Sequence, residues 1–238
     1  MNTTAGKYIG INQRVPFKVL DQGILNFLHT GTVDRDEIKQ YLREFTIGEN
    51  RVSKAATYAN AILSKPSHAL KAIKQNLNAD TYLRLAERER QVLILSLLAL
   101  TYPIAYDLLV ALAAGFKVQN QINKKFISQR MSAIYGSNRT LDIALDALLP
   151  MLIELGTIQR AKMSIYELAP HYSIQTPIFT DLFIYTGIKL SGSKSILLEE
   201  LRTRPWYEYY SVDYKKEVHN KMLAFSEARI GGGYLSIL

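Results

Sequence analysis

The stretch QVLILSLLALTYPIAYDLLVALAAGF, from Gln91 to Phe116, constrains this chain more than any other. It carries one charge, Asp107, and lies between Arg90 and Lys117. A membrane-spanning helix needs about 20 apolar residues, so the run is long enough to cross a bilayer. Tyr102-Pro103 divides it. Proline lacks a backbone donor and clashes with the preceding turn inside a helix, but it suits a first helical position. Asp107 follows four residues later, where the positive end of a helix favours a negative charge, and Thr101 is placed to cap. The run is therefore expected to form two helices, at about 83–100 and 103–115, with Gly115 closing the second. Each is too short, or too charged at its ERER start (Glu87 to Arg90), to span a membrane. An apolar helix in a water-soluble protein is a central one, so the run predicts a core and no membrane partner.

A chain of 238 residues, 48% hydrophobic and 21% charged, can bury a core without covalent staples. It has no cysteine, which excludes disulfides, thiolate metal sites and cysteine nucleophiles and fits a reducing cytoplasm. The opening MNTTAGKYIGINQRVPFK has no apolar segment followed by a cleavage site, so no signal peptide is expected. The formal charge of +8 favours a polyanionic partner, nucleic acid or anionic lipid.

The pattern is mainly α. Val19, Leu20, Ile24, Leu25 and Leu28 recur at helical spacing, and Gly31 ends that helix. Asp34 opens DRDEIKQYLREF with acids in its first turn. Asn50 starts NRVSKAATYANAILSK, which Pro66 stops, and Ser67 caps SHALKAIKQNL. Asp80 or Thr81 begins the long helix that enters the apolar run. Beyond it, a short helix covers about 125–135 and Gly136-Ser137-Asn138 makes a turn. Leu141, Ala144, Leu145, Leu148, Leu149, Leu152 and Ile153 then mark one face of a longer helix, with Pro150 as an expected kink and Gly156 as its end. TIQR and SIYEL alternate around Ala161 to Met163 and read as a hairpin.

Helix, helix, turn, helix, hairpin is the order of a winged helix-turn-helix. The predicted architecture is a helical bundle with a winged helix-turn-helix and a short β-hairpin wing. The segments are 1–101 (helical, with a second, looser helix-turn-helix within 34–65), 102–170 (winged helix) and 171–238 (helical and aromatic). In the last segment, KSILLEELRTR and YKKEVHNKMLAFSEAR read as helices and Gly231 to Gly233 as a flexible tail. The stretch SIQTPIFTDLFIYTGIKL reads as either helix or strand.

Between Lys117 and Arg139 stand five basic residues and no acid: Lys117, Lys124, Lys125, Arg130 and Arg139. Such a stretch on a helix-turn-helix suits a phosphate backbone, where counter-ion release makes each contact salt-dependent. Ser128, Ser137, Asn138 and Thr140 add short donors near helix N-termini. Asn138, Arg139 and Thr140 fall where a recognition helix faces base edges. Arg160 and Lys162 sit at the wing tip. A plain solvated basic face with Ser137 or Asn138 as caps is the competing account. Arg51 and Lys54, with Thr57 and with Lys65, Lys71 and Lys74 behind them, form a second candidate surface. The alanines around them (Ala55, Ala56, Ala59, Ala61) favour close helix packing there.

Trp206, Tyr207, Tyr209, Tyr210 and Tyr214, beside Arg202 and Arg204, either stack on unpaired bases, form a core edge or make a protein interface. Catalysis has little support. His29, His68, His171 and His219 are far apart without metal-ligand spacing, and no HExxH, GxSxG or phosphate-cradling glycine loop occurs. Glu87, Glu89, Glu199 and Glu200 read as solvated helix charges. No cofactor is expected, and the chain reads as a non-enzyme. A protein–protein adaptor using Trp206 to Tyr214 and an RNA-binding helical module are the alternatives to duplex DNA binding.

FTIGENRVSKAATYANAIL, then ERERQVLILSLLALTYPIAYDLLVAL, then LDALLPMLIELGTIQR resemble, in order, spacing and type, the small helical A protein of bacteriophage-exclusion (BREX) defence systems. The resemblance covers roughly residues 16–170. It implies a cytoplasmic, non-enzymatic DNA-binding component of a phage-resistance system, acting beside a methyltransferase and other defence proteins. Its DNA contacts would fall on the winged-helix positions named above. It offers nothing to match the last third of the chain.

Overall fold

A computed structural model describes residues 7–214, 222–227 and 232–238. It is mainly helical: among the described residues ten α-helices and three small sheets share one continuous apolar core running from Ile11 to Leu235. The N-terminal part packs α1 (Phe17–Thr30), α2 (Arg35–Arg43), α3 (Glu49–Ser64), α4 (Ser67–Asn76) and α5 (Ala79–Arg84). Asp34 caps α2 as its sequence position suggests, accepting from the backbone N–H of Asp36 at 2.8 Å and of Glu37 at 3.4 Å. Ser67 makes no such cap. It is the first residue of α4, and Pro66 precedes it without a side-chain hydrogen bond.

The apolar run does form two helices, α6 (Glu87–Thr101) and α7 (Pro103–Phe116), with Pro103 in the first turn of α7. They are bent by 113°, and among the described residues no single helix is long and apolar enough to cross a membrane. Several details differ from expectation. The helix thought to start near residue 80 is broken at Leu85-Ala86, both extended, which makes α5 separate from α6. The cause is tertiary: the Tyr82 hydroxyl donates to Asp21 of α1 at 2.5 Å, and Arg90 pairs with the same carboxylate at 2.5 Å. Thr101 caps nothing, because its hydroxyl donates back to Leu97 O at 2.8 Å. Asp107 holds Lys7 and the Tyr135 hydroxyl (3.0 and 2.6 Å), not the start of α7. Gly115 lies within the last turn of α7 and lets Ile122 and Phe126 close against it.

The ERER start of α6 is a hub, not a solvated cap. Arg88 donates to Gly156 O at 2.9 Å and Pro170 O at 2.6 Å, and its guanidinium lies over the rings of Tyr172 and Tyr210. Glu89, expected at the surface, is 3% exposed. It accepts the backbone N–H of Gln175 at 2.7 Å and Thr176 at 3.0 Å, so it caps α10 (Pro177–Leu190) from another helix. Tyr172 also donates to Glu89, and with burial as the larger cause its hydroxyl is pushed up to about 12. Three consecutive side chains thus tie α6 to the turn at Gly156, to α10 and to α1. Helix α10, left open between helix and strand by its sequence, is buried from Ile178 to Ile188 and packs along α6.

The C-terminal part departs most from its sequence reading. KSILLEELRTR is strand β5 (Ser195–Leu197) followed by a 3-10 turn (Leu198–Arg202), not a helix. Within YKKEVHNKMLAFSEAR, the described part is a strand, β7 (Leu223–Ser226), and residues 215–221 and 228–229 lie outside the described residues, as do His219 and Gly231. Gly232 and Gly233, expected in a tail, adopt positive φ and lead into β8 (Tyr234–Ile237). β4 (Tyr172–Ser173) and β6 (Tyr210–Ser211) pair in parallel, and β8 is the centre of an antiparallel sheet ordered β5-β8-β7, with Ile196 opposite Leu235 and Phe225 opposite Leu235.

Four of the aromatic set, Trp206, Tyr207, Tyr209 and Tyr210, are core. Trp206 is 1% exposed, stacks on Phe183 of α10 with centroids 4.8 Å apart, and donates its indole N–H to Phe183 O at 3.0 Å. Tyr209 donates to Leu109 O at 2.5 Å, and Tyr210 donates to Leu155 O. Burial pushes the hydroxyls of Tyr207, Tyr209 and Tyr210 well above their ordinary value. These four rings fasten the C-terminal part onto α7 and α10 and leave no ring face open for stacking bases, while Tyr214 is half-buried.

Candidate nucleic-acid interface

Pro103 sets the start of α7, and after Phe116 the chain makes β1 (Ile122–Asn123), α8 (Lys124–Tyr135), α9 (Arg139–Glu154), β2 (Ile158–Lys162) and β3 (Ile165–Leu168). The strands form an antiparallel sheet ordered β1-β3-β2, with Ile122 opposite Tyr166 and Ile158 opposite Leu168. Buried Ile122, Ile158 and Tyr166 face the helices. The hairpin register shifts between Arg160 and Lys162, and Ser164 takes a positive φ of 58° at the tip. Helix α9 continues across Pro150 to Glu154, and Gly156 follows with positive φ. One contact joins the hairpin tip to α8: Lys124 N donates to Ser164 O at 2.8 Å.

Two asparagines define the helix starts. Asn123 accepts from Phe126 N at 2.8 Å and Asn138 from Leu141 N at 2.9 Å. The Asn138 carbonyl oxygen is therefore engaged in its own helix, which leaves only its amide N–H groups for another partner. The turn between the helices opens at Gly136, with φ of 79°.

The expected basic residues divide into three groups. Lys125, Arg139, Arg160 and Lys162 are exposed, and their side chains make no ion pair or hydrogen bond among the described residues. Arg130 is exposed with its guanidinium 5.3 Å from the Phe126 ring centre. Lys124 pairs with Asp146 of α9, and Lys117 turns its ammonium to Thr203 O at 3.1 Å, so it braces the C-terminal part. Ser137 and Thr140 are exposed, while Ser128 is half-buried. Lys125 and Arg130 lie on α8, Arg160 and Lys162 on the hairpin, and Arg139 at the start of α9, past the end of α8. A 12-residue helix makes α8 about 18 Å long.

Arg51 and Lys54 lie on the exposed side of α3, also without a partner, and Thr57 accepts from Arg35 at 2.9 Å. Ala55, Ala56 and Ala59 on the other side are buried, as close packing requires. Helices α1, α2 and α3 pack together around a short turn at Gly48, so α2 and α3 have the order of a helix-turn-helix.

Sequence reasoning passed over what shares the outer face of α9. Asp142, Ile143 and Asp146 are all exposed beside Arg139 and Thr140. Lys124 neutralises Asp146, and Asp142 has no cation partner among the described residues. Both acids were visible as an i, i+4 pair off the apolar stripe. Their effect is to confine any favourable approach of phosphate to the first turn of α9, to α8 and to the hairpin. Met163, at the hairpin tip, is 90% exposed. Among the described residues no cluster of three or more His, Cys, Asp or Glu side chains could hold a metal ion.

The chain matches no protein-family model, no curated protein and no solved structure.

Proposed function

We propose that this chain binds duplex DNA through a winged helix-turn-helix formed by α7 to β3, and does no chemistry of its own. The observation that carries this reading is the pairing of helix–strand–helix–helix–hairpin order, sheet order β1-β3-β2, with exposed cations on α8, α9 and the hairpin whose side chains have no partner among the described residues. Charged side chains left unpaired beside one another repel, and a phosphate backbone relieves that repulsion while releasing its own counter-ions. In this reading α9 enters the major groove by its first turn, and Arg139 and Thr140 probe base edges. Asp142 then favours a base amino group in the major groove, that of cytosine or adenine. Lys125, Arg130, Arg160 and Lys162 hold phosphates. The resemblance to the A protein of phage-exclusion systems agrees with a cytoplasmic DNA-binding component that works beside other defence proteins.

The test is a variant with Lys125→Ala, Arg130→Ala, Arg139→Ala and Lys162→Ala together, set against a second with Arg51→Ala and Lys54→Ala. Loss of four phosphate contacts should flatten the salt dependence of DNA affinity by about 3 to 4 units of log K per log salt. If the first variant binds as the parent does and the second does not, the interface belongs on α3. Competition with structured RNA at equal salt separates the DNA reading from an RNA one.

A further inference from the structure

We infer that the cleft between α1, α3 and α4 is a binding site for a small amphipathic organic anion. The cleft is about 560 Å3, within the range of small-molecule sites. Its floor is apolar: Leu63 and Leu70 are buried, and Phe27 and Val33 are half-buried where they face the opening. Its rim carries Lys71 and Lys74, three residues apart and so on one side of α4. No carboxylate lines the cleft, and neither lysine makes an ion pair. Asp34, next to Val33, is occupied in capping α2.

Lys74 is drawn in over the floor. Its ammonium lies 5.5 Å from the centre of the Phe27 ring. Gly31 makes this possible: it ends α1 in the left-handed region, with φ of 83°, and a Cβ there would overlap the Lys74 ammonium. Asn60 and Ser64 of α3 add polar groups to the opposite wall. A neutral apolar ligand would leave both ammonium groups without a counter-charge. An inorganic anion would leave the apolar floor in water. One anionic head joined to an apolar body meets both demands. The inference is independent of the winged-helix reading, because it uses none of the residues of α7 to β3, although Lys71 and Lys74 stand behind Arg51 and Lys54 in the second candidate surface.

The probe is octanoate, titrated calorimetrically into the full chain and compared with acetate and octan-1-ol. Octanoate is expected to bind saturably at one site per chain, more tightly than either comparison compound. Lys71→Met with Lys74→Met should weaken it by about fivefold to twentyfold, each exposed ionic contact contributing a factor of about two to five. Ser64→Trp should block the cleft, with its melting curve checking that the fold persists. Octanoate binding no tighter than octan-1-ol, or unchanged by the double lysine variant, would overturn the proposal.

Discussion

Replacing Trp206 with alanine tests whether the C-terminal part shares the core of the helical body. The ring is 1% exposed, sandwiched between Phe183 at 4.8 Å and Tyr106 at 5.3 Å, and its N–H is bonded to Phe183 O. A buried tryptophan removes about 150–250 Å2 from water, which at about 25 cal/mol per Å2 is about 4–6 kcal/mol. The hydrogen bond adds about 1 kcal/mol, and the retained Cβ and partial collapse of the cavity return some of the total. Trp206→Ala is therefore expected to cost about 4 kcal/mol, a fall in Tm of about 8–16 °C for a domain of this size. Trp206→Phe keeps the stacking and loses the bond, so it should cost about 1–2 kcal/mol. Thermal melts followed by circular dichroism and by aromatic fluorescence should shift together. A Trp206→Ala protein melting within about 2 °C of the parent would refute the packing described here, because so small a shift corresponds to about 1 kcal/mol or less.

Further consequences follow from single contacts. Gly187→Ala should destabilise by about 1–3 kcal/mol despite alanine's better helix propensity, since the new Cβ would lie 2.6 Å from the Tyr207 hydroxyl and 2.7 Å from Trp206 Cδ1; denaturant midpoints measure this. Glu89→Ala removes the acceptor for two backbone N–H groups at the start of α10 and should cost about 2–4 kcal/mol, seen as a lower urea midpoint at unchanged slope. Glu200 accepts from Leu197 N at 2.9 Å and from Arg204, which hold its carboxyl below the ordinary value of 4.5. A carboxyl lowered on folding contributes stability above its unfolded value and loses it as pH falls through the folded one. Glu200 is largely solvated, so Glu200→Gln should cost under about 1 kcal/mol at neutral pH, and the gap between the two proteins should close below pH 4.5.

What the sequence shows and hides follows from the range of each interaction. The two-helix reading of residues 91–116 rests on Pro103, and the Asp34 cap and the 158–168 hairpin rest on neighbours within a few positions. The break at Leu85-Ala86 has no local cause, since it follows from Tyr82 reaching Asp21, 61 residues away. Glu89 looked solvated because the amides that bury it come 86 and 87 residues later. The segment around Ser195 has helical spacing, yet its partner strand pairs Ser195 with Ser236, which only the tertiary fold supplies. The same limit applied to the candidate interface. The free cations were legible as a run without acids, but Lys124 and Lys117 were counted among them because Asp146 and Thr203 lie outside that run. The cleft at Lys71 and Lys74 was missed entirely, being assembled from three helices and one glycine turn.

The central claim is that the unpartnered cations on α8, α9 and the hairpin meet a phosphate backbone. It is tested most directly by titrating the parent chain with a labelled duplex across a range of salt concentrations and plotting log K against log salt. Four to five phosphate contacts predict a straight line with a slope of about −4. Binding that does not change with salt, or no binding to the duplex at low salt, would contradict the account.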